Sequence, residues 1–212
     1  MRLYTFYRSL AAWRVRVALS LKGLEAELVT VDLIAGDQHR SDFKSRNPES
    51  SVPLLEIDDL SLAQSIAILE YLEETRPEPP LLPSSPQERQ LVRRFSLISA
   101  ADSHPLVVPR ARNFLKNEFG HSDDEVSQWC RNWLMRGCEA MESLLAGRPA
   151  TRFSFADRPL MSDLCLVPHL HGTRNFGGDP SRFGRLVAIE EACNALPAFA
   201  DNHPRLQPDF PG

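Results

Sequence analysis

Five prolines fall between Arg76 and Pro86 (Pro77, Pro79, Pro80, Pro83 and Pro86), and they limit what the chain can fold into. Each lacks the N–H that an interior helical turn needs, so residues 77–86 are expected to be an extended linker. The hydrophobic pattern differs on the two sides of it. The first 75 residues alternate between short apolar runs and helical stripes, whereas the remainder shows almost only helical periodicity. Two domains are expected, residues 1–76 and 87–212. A chain of 212 residues can bury roughly 70% of its unfolded surface and needs no metal or disulfide to hold it together.

Residues 3–7 are apolar and aromatic apart from Thr5, as in a strand buried on both faces. Val15, Ala18 and Leu19 then recur at helical spacing until Lys22-Gly23, a basic residue followed by glycine, which marks a helix C-terminus. Residues 27–31 read as a second strand, and 38–46 as a short polar helix that must stop before Asn47-Pro48. Residues 52–57 and 60–62, joined at Asp58-Asp59, read as an antiparallel hairpin. Gln64-Ser65 offers an N-cap for a helix over 66–75, with Ile66, Leu69 and Leu72 on one face. This βαβ then ββα order is the thioredoxin-like α/β plan. Beyond the linker an all-helical bundle is expected, with a stripe at Leu91, Phe95, Ile98 and Ala101, a helix over 122–145 and a core helix over 162–173.

Composition removes several classes of function. Cys130, Cys138, Cys165 and Cys193 are widely spaced with no Cys-x-x-Cys pair, and read as buried small hydrophobes in a reducing cytoplasm. A net charge of −4 argues against nucleic acid and anionic membranes, which need clustered basic charge. No signal sequence and no run of membrane-spanning length is visible.

Residues 8–23 carry the chemistry. Ser9 stands where the first strand turns into the first helix, so backbone N–H groups and the positive end of a helix dipole point at whatever lies beside it. That suits an anion or a thiolate. By itself such a serine is more simply a turn or N-cap residue.

The order of these motifs resembles the cytosolic glutathione transferases and, among them, the zeta class, which includes maleylacetoacetate and maleylpyruvate isomerases. The zeta-class loop reads Arg-Ser-Ser-Cys-x-Trp-Arg-Val-Arg. This chain keeps Arg8, Ser9, Trp13, Arg14, Val15 and Arg16, and has Leu10 and Ala11 in place of the second serine and the cysteine. Asn47-Pro48, Val52-Pro53, QSIAILEYLEETRP at 64–77, CLVP at 165–168 and the tail at 203–209 extend the resemblance over the whole chain. DSHP at 102–105 and QWCRNW at 128–133 are nearer the maleylpyruvate isomerases.

The resemblance implies a glutathione coenzyme, a small-molecule substrate, a homodimer and roles for particular residues. Ser9 would stabilise the thiolate, with Leu10 and Ala11 beside it. Val52, turned outward by a cis Pro53, would pair with the cysteinyl backbone, and Gln64-Ser65 would take the γ-glutamyl carboxylate. His39 would reach the glycyl end. Asp102, with His104 nearby, would meet the γ-glutamyl amino group across the dimer interface. Substrate carboxylates call for forked guanidinium groups. Arg8, Arg110 and Arg174 are the candidates, with His104 as a polar neighbour. Asn175 occupies the usual arginine position, and a shift by one residue to Arg174 turns the side chain by about 100° on a helix. Each of these residues also has a plainer reading, as a solvated surface group, a turn proline or a helix cap. Leu160 replaces the hydroxyl of the family's Ser/Thr-x-x-Asp cap, at a cost of about 1 kcal/mol, while Asp163 remains and Ser162 is the alternative cap. The implied activity is glutathione-dependent cis–trans isomerisation of a maleyl-type ring-cleavage product. A general glutathione transferase or peroxidase, and a non-catalytic interaction module, are the alternatives.

Overall fold

Strand β1 (Arg2–Thr5) lies inside the sheet, with Leu3, Tyr4 and Thr5 buried, in the computed structural model, which describes residues 1–211. It pairs parallel with β2 (Glu27–Thr30) and antiparallel with β3 (Leu54–Ile57), placing Leu3 opposite both Leu28 and Leu55. β4 (Leu60–Ala63) completes the order β2-β1-β3-β4. Asp58 and Asp59 sit at φ 51° and 61°, both left-handed, as a two-residue hairpin turn of type I′ requires. A parallel neighbour needs a crossover, and α1 (Leu10–Leu21) supplies it. α1 ends in a Schellman motif: Gly23, at φ 64°, donates to Ser20 O, and Leu24 donates to Leu19 O at 2.9 Å.

The element boundaries differ from expectation in three places. β3 starts at Leu54 and not at Val52, because the ladder to β1 ends at Tyr4 opposite Leu54. The polar helix at 38–46 is two pieces, a 3₁₀ turn (Asp37–His39) and α2 (Ser41–Lys44), separated by the extended backbone of Arg40. α3 runs Ser65–Thr75, so Ser65 is its first residue and not its cap.

Contacts divide the chain into residues 1–81 with 196–212, and residues 82–195. The sequence placed the tail from 196 onward with the helical domain. It belongs to the first unit because α9 (Pro197–Ala200) packs on α1 and buries Phe199. The linker's first half is also fastened there. The buried Lys22 ammonium donates to Arg76 O at 2.6 Å and Pro79 O at 2.9 Å, and Glu73, 3.7 Å from it, accepts the Leu81 N–H.

In the second unit the last linker proline opens a helix. α4 (Pro86–Leu97) has Pro86 in its first turn, where no N–H is needed, and Ser85 caps it. The buried stripe is Val92, Phe95, Ser96 and Ser99 and not Leu91, Phe95, Ile98 and Ala101, and the winding changes at Ile98 to a π turn (Ile98–Ser103), followed by a 3₁₀ turn (His104–Leu106). α5 (Pro109–Asn117) and α6 (Asp123–Ala146) follow. A reciprocal box opens α6, Glu125 N–H to Ser122 Oγ and Ser122 N–H to Glu125 Oε2.

α7 (Met161–Asn175) packs against α4, α6 and α8 (Gly184–Asn194), and Met161 to Leu170 are all buried. Ser162 does not cap it, since its hydroxyl lies 2.5 Å from that of Ser154. The fully buried Asp163 does, accepting the N–H groups of Leu160 at 2.8 Å and Ser154 at 2.9 Å. Desolvation outweighs those bonds and pushes its pKa up to about 6. All four cysteines are buried as thiols, and burial raises those of Cys130 and Cys138 to about 11. Among the described residues no helix is long and apolar enough to cross a membrane.

Candidate active site

Tyr7 and Arg8 make the bend between β1 and α1, closed by the Ser9 N–H donating to Phe6 O at 2.9 Å. Ser9 has the extended backbone of an N-cap, and its Oγ accepts the Ala12 N–H at 3.1 Å. The plain reading and the functional one are compatible. A hydroxyl has two lone pairs and one proton, so capping leaves the proton to be donated. The Leu10 and Ala11 N–H groups, in the first turn, have no intrahelical acceptor. Leu10 buries its side chain, Ala11 is half-buried and Arg8 is exposed.

Two further elements of the first unit offer polar backbone. The Val52-Pro53 bond is cis. Val52 lies two residues beyond the end of the β1–β3 ladder, so its backbone polar groups have no strand partner on β1. Asn47, read from sequence as a helix stop and part of the resemblance, shapes the approach: it is buried, donates to Ser51 O and accepts the Glu49 N–H. At the start of α3, Gln64 sits at φ 65°, ψ 110°, a costly conformation for a side-chain-bearing residue, with its amide on Glu49 at 2.5 Å. No side chain caps α3, which leaves its first N–H groups available to an anion. Ser65 Oγ accepts from Arg14 Nη1 at 3.2 Å. Arg14 is 1% exposed, and its charge lies behind that helix start. Its place in the loop motif was visible, but its role was not. His39 is exposed in the 3₁₀ turn.

In the second unit Asp102 is exposed on the π turn and His104, half-buried, opens the 3₁₀ turn, which Trp129 Nε1 holds through Leu106 O at 2.8 Å. π turns inside helices recur at functional positions. Val108 caps α5 without a side-chain bond, and Arg110 in the next turn is exposed. Among the described residues neither Arg8 nor Arg110 has an ion-pair partner. Arg174 does: it forks onto the buried Glu190 with two bonds of 2.6 Å, which raises its pKa further and removes it as a free clamp. The cause is the Glu190 carboxylate, buried on α8 and needing a counter-charge. Asn175 is exposed at the end of α7.

Residues 1–74 match the family described as Glutathione S-transferase, N-terminal domain. Over 214 aligned residues, 100% of this chain and 99% of the relative, it is 39% identical to a maleylacetoacetate isomerase of Pseudomonas aeruginosa. It is also 39% identical to a maleylpyruvate isomerase of Ralstonia sp., with 99% of each covered. The chain belongs to the zeta class of the glutathione S-transferase family.

Solved structures of the class superpose closely. The holo structure of maleyl pyruvate isomerase, a bacterial zeta-class glutathione S-transferase, has TM-score 0.97 at 38% identity, with all of both chains covered. A maleylacetoacetate isomerase from Methylobacterium extorquens AM1, with malonate and GSH bound, has TM-score 0.96 at 42% identity, again with full coverage. Against the zeta-class motifs the first unit retains Ser9 at the start of α1, the cis Val52-Pro53 bond and Gln64-Ser65 at the uncapped start of α3. The departures are Leu10, Ala11 and Asn175.

Proposed function

We propose that this zeta-class chain is a glutathione-dependent cis–trans isomerase of a maleyl-type dicarboxylate, maleylacetoacetate or maleylpyruvate. The observation that carries the coenzyme half is the Ser9 hydroxyl, engaged by the Ala12 N–H yet free to donate its proton. Leu10, Ala11, Val52, Pro53, Gln64, Ser65 and His39 are proposed to hold glutathione in the first unit, and Asp102 and His104 to act from the second. Four buried cysteine thiols, none in a disulfide, accord with a reducing cytoplasm. A homodimer is part of the same reading, with Leu97 an exposed apolar side chain on α4 available to the interface.

Bound glutathione supplies a thiolate that adds reversibly to the conjugated double bond, allowing rotation before it leaves. Ser9 Oγ donates to the sulfur and, with the Leu10 and Ala11 N–H groups, favours the ionised thiol, whose free pKa is about 8.5. The Val52 backbone orients the cysteinyl unit. Ser65 and the N-terminus of α3 take the γ-glutamyl carboxylate, with Arg14 fixing the Ser65 oxygen. Arg8 and Arg110 hold the substrate carboxylates and stabilise charge that develops on the carbonyl oxygen.

A second reading has specific support. With Arg174 committed to Glu190 and Asn175 in the arginine position, the clamp for dicarboxylates is reduced, which favours a broader transferase or peroxidase. The test is turnover of maleyl dicarboxylates, hydroperoxides and aryl halides with glutathione. Isomerisation that falls about tenfold or more in Arg110→Ala, with aryl-halide turnover unchanged, supports the isomerase. Aryl-halide or peroxide turnover without isomerisation replaces it with the second reading.

A further inference from the structure

We propose that Asp209 is a positioning residue for Ser9, holding from the C-terminal tail the bend on which that hydroxyl is presented. The chemical consequence rests on the glutathione reading above; the positioning itself does not. The bend over residues 6–9 has one internal bond, Ser9 N–H to Phe6 O, and such a turn leaves the N–H of its second residue unmatched. That residue is Tyr7, and Asp209 Oδ2 accepts its N–H at 2.8 Å. Burial of an unmatched amide would be costly, so the bond is a strong constraint on where the bend sits.

The tail arrives already ordered. A 3₁₀ turn (Pro204–Leu206) is fixed by Leu206 N–H to His203 O at 2.9 Å, Arg205 N–H to His203 Nδ1 at 3.2 Å and Gln207 Nε2 to His203 O at 3.2 Å. Phe210 N–H closes the next turn onto Gln207 O at 3.0 Å. Rings fasten the tail on both sides of Ser9: Phe210 meets Tyr7 edge-on at 5.4 Å, and His203 meets Trp13 at 5.6 Å.

Asp209 also supplies charge. Arg16 is 3% exposed and donates to Thr5 Oγ1 at 2.8 Å, while its Nε and second terminal nitrogen have no hydrogen-bond partner among the described residues. Burial lowers its pKa to about 10, and the Asp209 carboxylate opposes that shift. The Asp209 carboxylate thus bonds Tyr7 in the bend, and its charge acts on Arg16 of α1, which in turn donates to Thr5 at the end of β1. A catalytic hydroxyl loses effect when displaced by a fraction of an ångström, and its supporting residues decide that displacement.

The experiment compares wild type with Asp209→Ala, Asp209→Asn and Phe210→Ala. Amide hydrogen exchange over residues 6–12, without ligand, reads the positioning. An ultraviolet titration of the bound glutathione thiol reads its consequence. Asp209→Ala is expected to speed exchange at those amides, to raise the bound-thiol pKa by about half a unit and to lower kcat about threefold below that pKa. Glutathione Kd should change by less than about twofold, because Val52 and Ser65 lie on other elements. Asp209→Asn, which keeps an oxygen for the Tyr7 N–H, should recover most of the effect. Phe210→Ala, at a half-buried ring, should shift the same quantities less and serves if Asp209→Ala does not fold. Wild-type exchange and titration in both Asp209→Ala and Phe210→Ala, or in Phe210→Ala where only it folds, overturn the proposal. If wild type binds no glutathione, the functional reading fails while the exchange arm still decides the positioning.

Discussion

Asp163 gives the protein a stability term of unusual sign. The carboxyl is wholly buried at the start of α7, bonded to two backbone N–H groups, and its pKa in the fold is about 6 against 3.8 for the free side chain. A folded-state pKa above the unfolded one means that the native protein holds the proton more tightly. Its favourable contribution is complete below the unfolded pKa and is lost as pH rises through the folded one. Two units correspond to about 3 kcal/mol, of which about 2 kcal/mol falls between about pH 4.5 and 7.5. Exposed carboxylates with lowered pKa, such as Asp58, Glu125 and Asp179, act in the opposite direction, so the total pH profile does not isolate the term. The difference between wild type and Asp163→Asn does, because asparagine retains one acceptor and does not titrate. Urea midpoints at fixed protein concentration across that pH range should show the substitution costing about 2 kcal/mol less at neutral pH than in mild acid. Parallel profiles for the two proteins would refute the reasoning, since a carboxyl ionised throughout that range contributes no such difference.

Ser9→Ala should raise the pKa of bound glutathione and slow turnover while leaving glutathione affinity nearly intact, and loss of the cap on Ala12 should cost about 1 kcal/mol by thermal unfolding. Arg174→Met should destabilise the protein by about 1–3 kcal/mol, because the buried Glu190 loses its partner, yet leave kcat/KM for a dicarboxylate unchanged; a loss of kcat/KM at normal stability would return Arg174 to the substrate. Lys22→Met should cost about 3–5 kcal/mol in denaturant unfolding, since it removes the cation beside the buried Glu73 and the donor to Arg76 O and Pro79 O.

Features set by neighbouring residues were legible in the sequence. The Asp58-Asp59 hairpin and the Lys22-Gly23 helix end each depend on two residues whose backbone preferences agree. What escaped depends on partners that arrive from elsewhere. Arg14 and Arg16 stand in the loop motif as two cations after the strand-to-helix turn, but α1 is enclosed on nearly all sides, and Ser65 and Thr5 supply their acceptors. Arg174 looks like a free cation until α8 places Glu190 against it. The π turn was missed because the registry of Val92, Phe95, Ser96 and Ser99 only becomes meaningful when Ser99 finds Cys165 O across the bundle. For the site, the motif order singled out Ser9, Val52 and Ser65 as candidates, and it included Arg14 and Asn47 without indicating that Arg14 donates to Ser65 or that Asn47 holds the turn at Ser51.

Because residues 196–212 pack with residues 1–81, the unit that is synthesised first is also the last to be completed. The intervening 82–195 must leave the ribosome before the acceptor for the Tyr7 amide exists, a delay of roughly 6–23 s at ordinary elongation rates. During that interval Trp13 lacks the His203 ring and Arg16 lacks its counter-charge. A nascent chain stalled before residue 196 should therefore be open to proteases and to chaperone binding around residues 6–16, and release of the finished tail should end that exposure. The same arrangement means that cutting the gene at the proline-rich segment leaves the amino-terminal fragment without the α9 and tail contacts, Phe199 on α1 and Asp209 on the Tyr7 amide, that complete its unit.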